Sequence, residues 1–312
     1  MHKRRLLEEA EREVWVHALE RAARFSGVEV ITYCCLGNHF HILVRIDPTA
    51  RDCSDTELVD RFAALYGTAR AAWCGLDASG LAHALAQGGT PEAQRLRERL
   101  RARMGDVSEF MRTLRQRYTK WYNRTHQTAG TLWSERFGSV LVQDIPWLVA
   151  LVAAYIDLNP VRAGLAPLPG EYRWSGYTAA LAGNTDIRRT LAACFPREAD
   201  ADASLACYRR LMLGKGAAAK RDGTGGRVDP EELLKAVRDG GELEAHELLR
   251  LKLRFLTQGR ALGTHEWMQQ ATGVGGPGRT ALYPAPLEVL DTAEIAVGRR
   301  KYRTGGLGLP GR

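Results

Sequence analysis

The chain has 312 residues, 45% of them hydrophobic, which is enough for a sizeable core and excludes wholesale disorder. Its formal charge of +8, carried mostly by arginine, favours an anionic partner, of which nucleic acid is the commonest. The six cysteines include no C-x-x-C pair, so neither a zinc ribbon nor a disulfide framework is signalled, and reduced cytoplasmic thiols are expected.

The opening "MHKRRLLEEAERE" is charged throughout and does not read as a signal peptide. Residues 4–26 carry Leu7, Val14, Leu19 and Ala23 among charges, which predicts a helix. "GVEVITYCC" and "HFHILVRI" have strand composition and are separated by Gly37 and Asn38. They read as an antiparallel pair or as one strand with a bulge. Residues 50–105 are charged and helical in pattern, broken by "QGGTPEAQ", with Pro91 near a helix start.

"DVSEFMRTLRQRYTKWYNRT" predicts an amphipathic helix with Asp106 or Ser108 as N-cap. Residues 101–125 hold seven Arg or Lys and two acids. Arg112, Arg115, Arg117, Lys120 and Arg124 are candidates to track a nucleic-acid backbone. Tyr118, Trp121 and Tyr122 either stack on bases or face the core, and helical spacing favours the core. "GTLWSERFGSVLVQD" reads as loop plus strand. Within it Arg136 either contacts phosphate or pairs with Glu135. "IPWLVALVAAYI", residues 145–156, is the longest apolar run. It is too short to span a bilayer, so a buried helix is expected, from an Asp144 cap to about Leu158, and no membrane association. "NPVRAGL" should stop that helix.

Beyond "YRWSGY" the composition shifts. Residues 214–227 resemble a flexible linker, two helical stretches follow at 229–239 and 242–256, and residues 297–312 carry five basic residues and no acid. The expected organisation is a domain over 1–184, with the helical insertion at about 50–105, and a mostly helical C-terminal extension over 185–312.

Two features carry chemistry. His39 and His41 alternate with Phe40, so they share one face of a strand. Two imidazoles on one face are either a hydrogen-bonded structural pair or two ligands of one cation. Tyr155 and Asn159 lie four apart, one helical turn from each other. If their helix packs on the histidine face, His39, His41 and Asn159 can hold a divalent cation beside the Tyr155 hydroxyl. Mg²⁺ or Mn²⁺ there would polarise a phosphodiester for attack by the phenol. Cys35, His39 and His41 share strand parity as well, which leaves a zinc-binding regulator as a further reading.

The segments "GNHFHILV", "RYTKWYNRTHQTAGTLWSERFGSVLV", "YIDLNPVRAGL" and "YRWSGY" together resemble the single-tyrosine HUH transposases, most closely the branch associated with repeated extragenic palindromes. The resemblance covers about residues 5–180. It implies an α+β fold with a ferredoxin-like antiparallel sheet and helices on its faces. The family ordinarily opens with a strand before the first helix, so the resemblance implies a sheet lacking that strand here. It also implies that His39, His41 and Asn159 bind the metal and that Tyr155 is the nucleophile. The implied activity is nicking and rejoining of single-stranded or hairpin DNA through a 5′-phosphotyrosine, by a monomer or homodimer. A hairpin-binding protein that keeps the fold without cleavage is the alternative. Residues 251–271 resemble a segment of longer family members to which no role attaches.

Overall fold

The computed structural model describes residues 7–133, 136–196, 198–213, 259–264, 267, 280–284 and 294–299. They fall into two compact units, Met1–Phe137 with Ile156–Leu205, and Gly138–Tyr155 with Ala206–Arg312. The chain is α+β, as the resemblance implies.

In the first unit, α1 (Glu9–Ser26) buries Trp15, Leu19, Ala22 and Phe25 on its inner side. Gly27, in the left-handed conformation that favours glycine, ends α1 and turns the chain into β1 (Val28–Cys35). β1 pairs antiparallel with β2 (Phe40–Ile46), from Val28 opposite Ile46 to Cys35 opposite Phe40. Of the two expected readings the antiparallel pair is the one formed; a register shift between Val30 and Thr32 lies inside β1, away from Gly37 and Asn38. The Thr190 hydroxyl lies 3.0 Å from the Ile187 carbonyl of its own helix and 3.3 Å from the Val30 and Ile31 carbonyls, beside the interruption of the ladder.

The "YRWSGY" segment secures the end of β1. The Cys35 N–H donates to the Trp174 carbonyl at 3.0 Å, and the Tyr172 hydroxyl donates to the Cys35 carbonyl at 2.7 Å. Arg12 of α1 lies 3.8 Å over the Trp174 ring and donates to the Tyr172 hydroxyl.

The insertion at about 50–105 folds as α2 (Asp55–Tyr66), α3 (Ala78–Ala86) and α4 (Pro91–Arg101). Ser54 and Glu57 form a capping box on α2, and Pro91 opens α4 behind the Thr90 cap. The three helices build their own core from Leu58, Phe62, Leu65, Leu81, Leu85 and Leu100. Next comes α5 (Val107–His126), capped by Asp106, whose carboxylate accepts from the Ser108 and Glu109 N–H groups. The aromatic residues largely follow helical spacing. Tyr118 is fully buried and its hydroxyl donates to the Glu11 carbonyl, while Trp121 and Tyr122 are half-buried.

The expected strand in residues 130–144 is confined to β3 (Leu141–Val142). α6 (Pro146–Asp157) buries Leu148 through Ile156. "NPVR" does not stop helical structure outright. It forms a short turn, α7 (Asn159–Arg162), with Pro160 in its first turn, where a missing N–H costs nothing.

α8 (Gly176–Leu181) and α9 (Thr185–Ala192) follow. The expected domain boundary at 184/185 falls between these two helices, yet α9 packs on β1 and the first unit continues to Leu205. The C-terminal part is helical as far as α10 (Ala201–Leu213). Beyond α10 the described residues include the strands β4 (Gly259–Gly263), β5 (Thr280–Pro284) and β6 (Glu294–Arg299), which the expectation of a mostly helical extension did not foresee. "GRALG", with a glycine at each end, pairs through backbone and is too short to give an apolar alternation to read. The expected linker at 214–227 and helices at 229–239 and 242–256 lie outside the described residues.

In the second unit the strands order as β3-β4-β6-β5, with β3 and β4 parallel and the other pairs antiparallel. Among the described residues no helix is long and apolar enough to cross a membrane.

Candidate metal and nucleophile site

The β1–β2 hairpin closes through the Leu36 N–H, which donates to the His39 carbonyl at 2.9 Å. Alternation then sends Phe40 to the aromatic side of the sheet. There its ring lies 4.8 Å from Trp15 and 5.2 Å from Trp133. His39 and His41 meet on the opposite face, edge to face at 5.1 Å between ring centres.

Nδ1 of His39 lies 2.6 Å from Asn38 Oδ1. An amide oxygen only accepts, so this contact has Nδ1 carrying a proton; in a neutral ring that would leave the lone pair on Nε2, the tautomer a metal-binding histidine needs. The His41 pKa is pushed down to about 4, first by burial and then by the neighbouring His39 and Arg162 charges. His41 is therefore neutral at pH 7, as a ligand must be.

Arg162 is the last residue of α7 (Asn159–Arg162). α7 begins at Asn159, whose Nδ2 donates to the Ile156 carbonyl at 3.2 Å, which leaves Oδ1 as the atom of its amide suited to a cation. Tyr155, on α6, is 7% exposed.

Two residues of this region escape a motif-based reading. Asp157 is fully buried. Its carboxylate accepts from the Thr32 hydroxyl, which lies 2.9 Å from both oxygens, and from the Tyr177 N–H at 3.2 Å. That lock ties the end of α6 to β1 and to the first turn of α8. Gly176 belongs to it, since a Cβ there would sit 2.2 Å from the Thr32 hydroxyl. The signal in the sequence is a lone acid closing an apolar helix, which must find donors when buried. Arg162 is the second. It stands three residues past Asn159, and its basic character alone does not separate it from the many other arginines.

Comparison with known protein families, curated proteins and solved structures returns no match. Among the described residues no group of three or more His, Cys, Asp or Glu could hold a metal, so a cation on the histidine face would take its third donor from an amide. Imidazole donors favour Mn²⁺ over the harder Mg²⁺, and an amide oxygen suits either. The zinc alternative loses its geometry. Cys35 stands opposite Phe40 and Cys34 opposite His41, so Cys35 is on the aromatic face, and burial drives both thiols up, away from the thiolate zinc needs.

The basic residues of α5 divide into two groups. Arg112, Lys120 and Arg124 are exposed, with Gln116 between the first two at four-residue spacing, and form one stripe. Arg112 pairs with Glu109. Arg117 instead donates to the Leu65 carbonyl at 2.7 Å, where Arg21 also donates at 2.8 Å, so two guanidiniums cap the C-terminus of α2. Arg115 lies 5.6 Å over the Trp133 ring, and burial lowers its pKa. Arg136 is exposed, and its alternative partner Glu135 lies outside the described residues.

Proposed function

We propose that this chain is a single-tyrosine HUH transposase-like strand transferase, whose β1–β2 hairpin belongs to a ferredoxin-like sheet, acting on single-stranded or hairpin DNA. The observation that carries the reading is the histidine face, where His39 and His41 meet edge to face, Asn38 contacts His39 Nδ1 and His41 is kept neutral. A bound Mg²⁺ or Mn²⁺ would polarise the scissile phosphate and offset the charge that develops there.

His39, His41 and Asn159 would hold that ion. The Tyr155 oxygen gives up its proton and forms a bond to phosphorus, and the bond from phosphorus to the 3′-oxygen breaks. The leaving 3′-oxygen takes a proton, and the 5′-phosphate stays on the tyrosine. The phosphoester energy is conserved, so another 3′-hydroxyl can reverse the step or replace the first strand. Arg112, Lys120, Arg124 and Arg136 supply exposed charge for the DNA backbone. Arg117 and Arg115 are turned toward protein partners and contribute to the fold.

The burial of Tyr155 favours a second reading, a hairpin-binding protein without cleavage. Incubation with Mg²⁺ or Mn²⁺ and a single-stranded hairpin separates the two. The transferase gives a denaturant-resistant protein–DNA adduct that Tyr155→Phe abolishes while hairpin binding persists. Hairpin binding by the unaltered chain with no adduct supports the second reading.

A further inference from the structure

The second unit contains a contact whose purpose the fold alone does not explain. Strand β4 comes from a part of the chain more than a hundred residues beyond β3, yet it pairs in parallel with β3, Leu141 opposite Ala261 and Val142 opposite Leu262. The ladder continues one residue further, since the Gln143 N–H donates to the Leu262 carbonyl at 2.8 Å. The Gln143 side chain then turns back, and its Oε1 accepts from the Thr264 N–H at 2.7 Å. Gln143 is thus held from both sides by one short segment, through its backbone and through its side chain.

The Thr264 hydroxyl accepts from the Trp267 N–H at 3.4 Å, which folds the chain so that Trp267 returns over the strand. There the indole packs on fully buried Ala261. Gly263 makes the arrangement possible. A Cβ at that position would fall 2.3 Å from the Trp267 ring and 2.9 Å from Gln143 Oε1, so any side chain would push the two apart. Gln143 is three residues ahead of Pro146, the first residue of the helix that carries Tyr155.

We infer that Gly259–Gly263, with Thr264 and Trp267, is a positioning element for the Tyr155 helix, and that Gln143 is its clasp. The segment touches no reacting atom. It fixes where α6 begins and so where a residue two and a half turns along it stands. Displacement of a reacting group by about 1 Å costs on the order of a hundredfold in rate, so an element that holds the helix start has leverage on the chemistry. The inference rests on the transferase reading for its catalytic consequence, and on the pairing alone for its structural one.

The test uses the full chain with Gly263→Ala and with the double variant Gly263→Ala/Trp267→Ala, which removes the ring that the added methyl would strike. Hydrogen exchange at residues 146–152 reports on the helix start without reference to activity. The rate of adduct formation in a single turnover, set beside the dissociation constant for the hairpin, reports on positioning. Gly263→Ala should speed exchange at the start of α6 and slow adduct formation by about tenfold, with hairpin affinity within about twofold. The double variant should recover most of both losses. Unchanged exchange at 146–152 overturns the inference. So does a parallel fall in affinity and rate together with a loss of near-ultraviolet circular dichroism, which marks general unfolding. If the unaltered chain forms no adduct, the transferase reading fails, and the exchange data still decide whether the clasp holds the helix.

Discussion

The two ends of helix α6 are held by opposite means. At its C-terminal end a buried carboxylate does the work, as Asp157 gathers the Thr32 hydroxyl and the Tyr177 N–H in a dry site. Ahead of its N-terminal end, where Asp144 is exposed, backbone pairing of β3 with β4 plus the Gln143 clasp fix the chain. A buried carboxylate with satisfied donors is costly to break, because each orphaned donor carries its full desolvation penalty. A single amide clasp to backbone is cheap to break but holds geometry. The stiffness of the C-terminal end should therefore appear in stability, and that of the N-terminal end in rate.

That contrast can be broken in four ways, from the largest expected effect down. Asp157→Ala removes an acceptor from two buried donors and should destabilise the protein by about 2–4 kcal/mol, read as a lower denaturation midpoint. A loss under about 0.5 kcal/mol would mean the lock is not holding the helix. Thr32→Val keeps the shape and removes one donor, for about 1–2 kcal/mol. Combined with Asp157→Ala it should add little, since the two share one interaction, and full additivity would contradict direct coupling.

Acid sharpens the contrast further. The unfolded state takes a proton on His41 near pH 6.5, whereas the folded state resists it until about pH 4. The His41 contribution to stability is complete above about pH 6.5 and is lost as pH falls toward 4. By pH 5.5 the loss should be on the order of 1 kcal/mol, below the full linkage value because the ring is only half-buried. His41→Gln should remove that part of the pH dependence. Hydrogen exchange at residues 259–264 should not follow it, since the Gln143 clasp contains no titratable group. Smallest of all, Gln143→Met keeps length and loses the acceptor, for about 1 kcal/mol or less, with Gln143→Glu restoring it.

The same contrast explains what could be read in advance. Asp157 was legible in principle, because an acid that closes "LVALVAAYI" announces a buried partner, although nothing local names Thr32 125 residues away. The helical insertion, the hairpin and the shared face of His39 and His41 follow from periods of 3.6 and 2 that act within one element. The pairing of β3 with β4 is different. It joins two short, featureless stretches through backbone groups that every residue carries, so no side-chain pattern marks it. Arg117 shows a third limit. Its place in a basic run suggested DNA, and only the Leu65 carbonyl 52 positions away reveals a helix cap.

The most direct measurement of the central claim is peptide mapping, by mass spectrometry, of the adduct formed with Mn²⁺ and a single-stranded hairpin. The account predicts that the nucleotide remnant sits on Tyr155 through a 5′-phosphate, and that His39→Ala/His41→Ala prevents its formation. A remnant on any other residue, or an adduct that survives without both histidines, would contradict it.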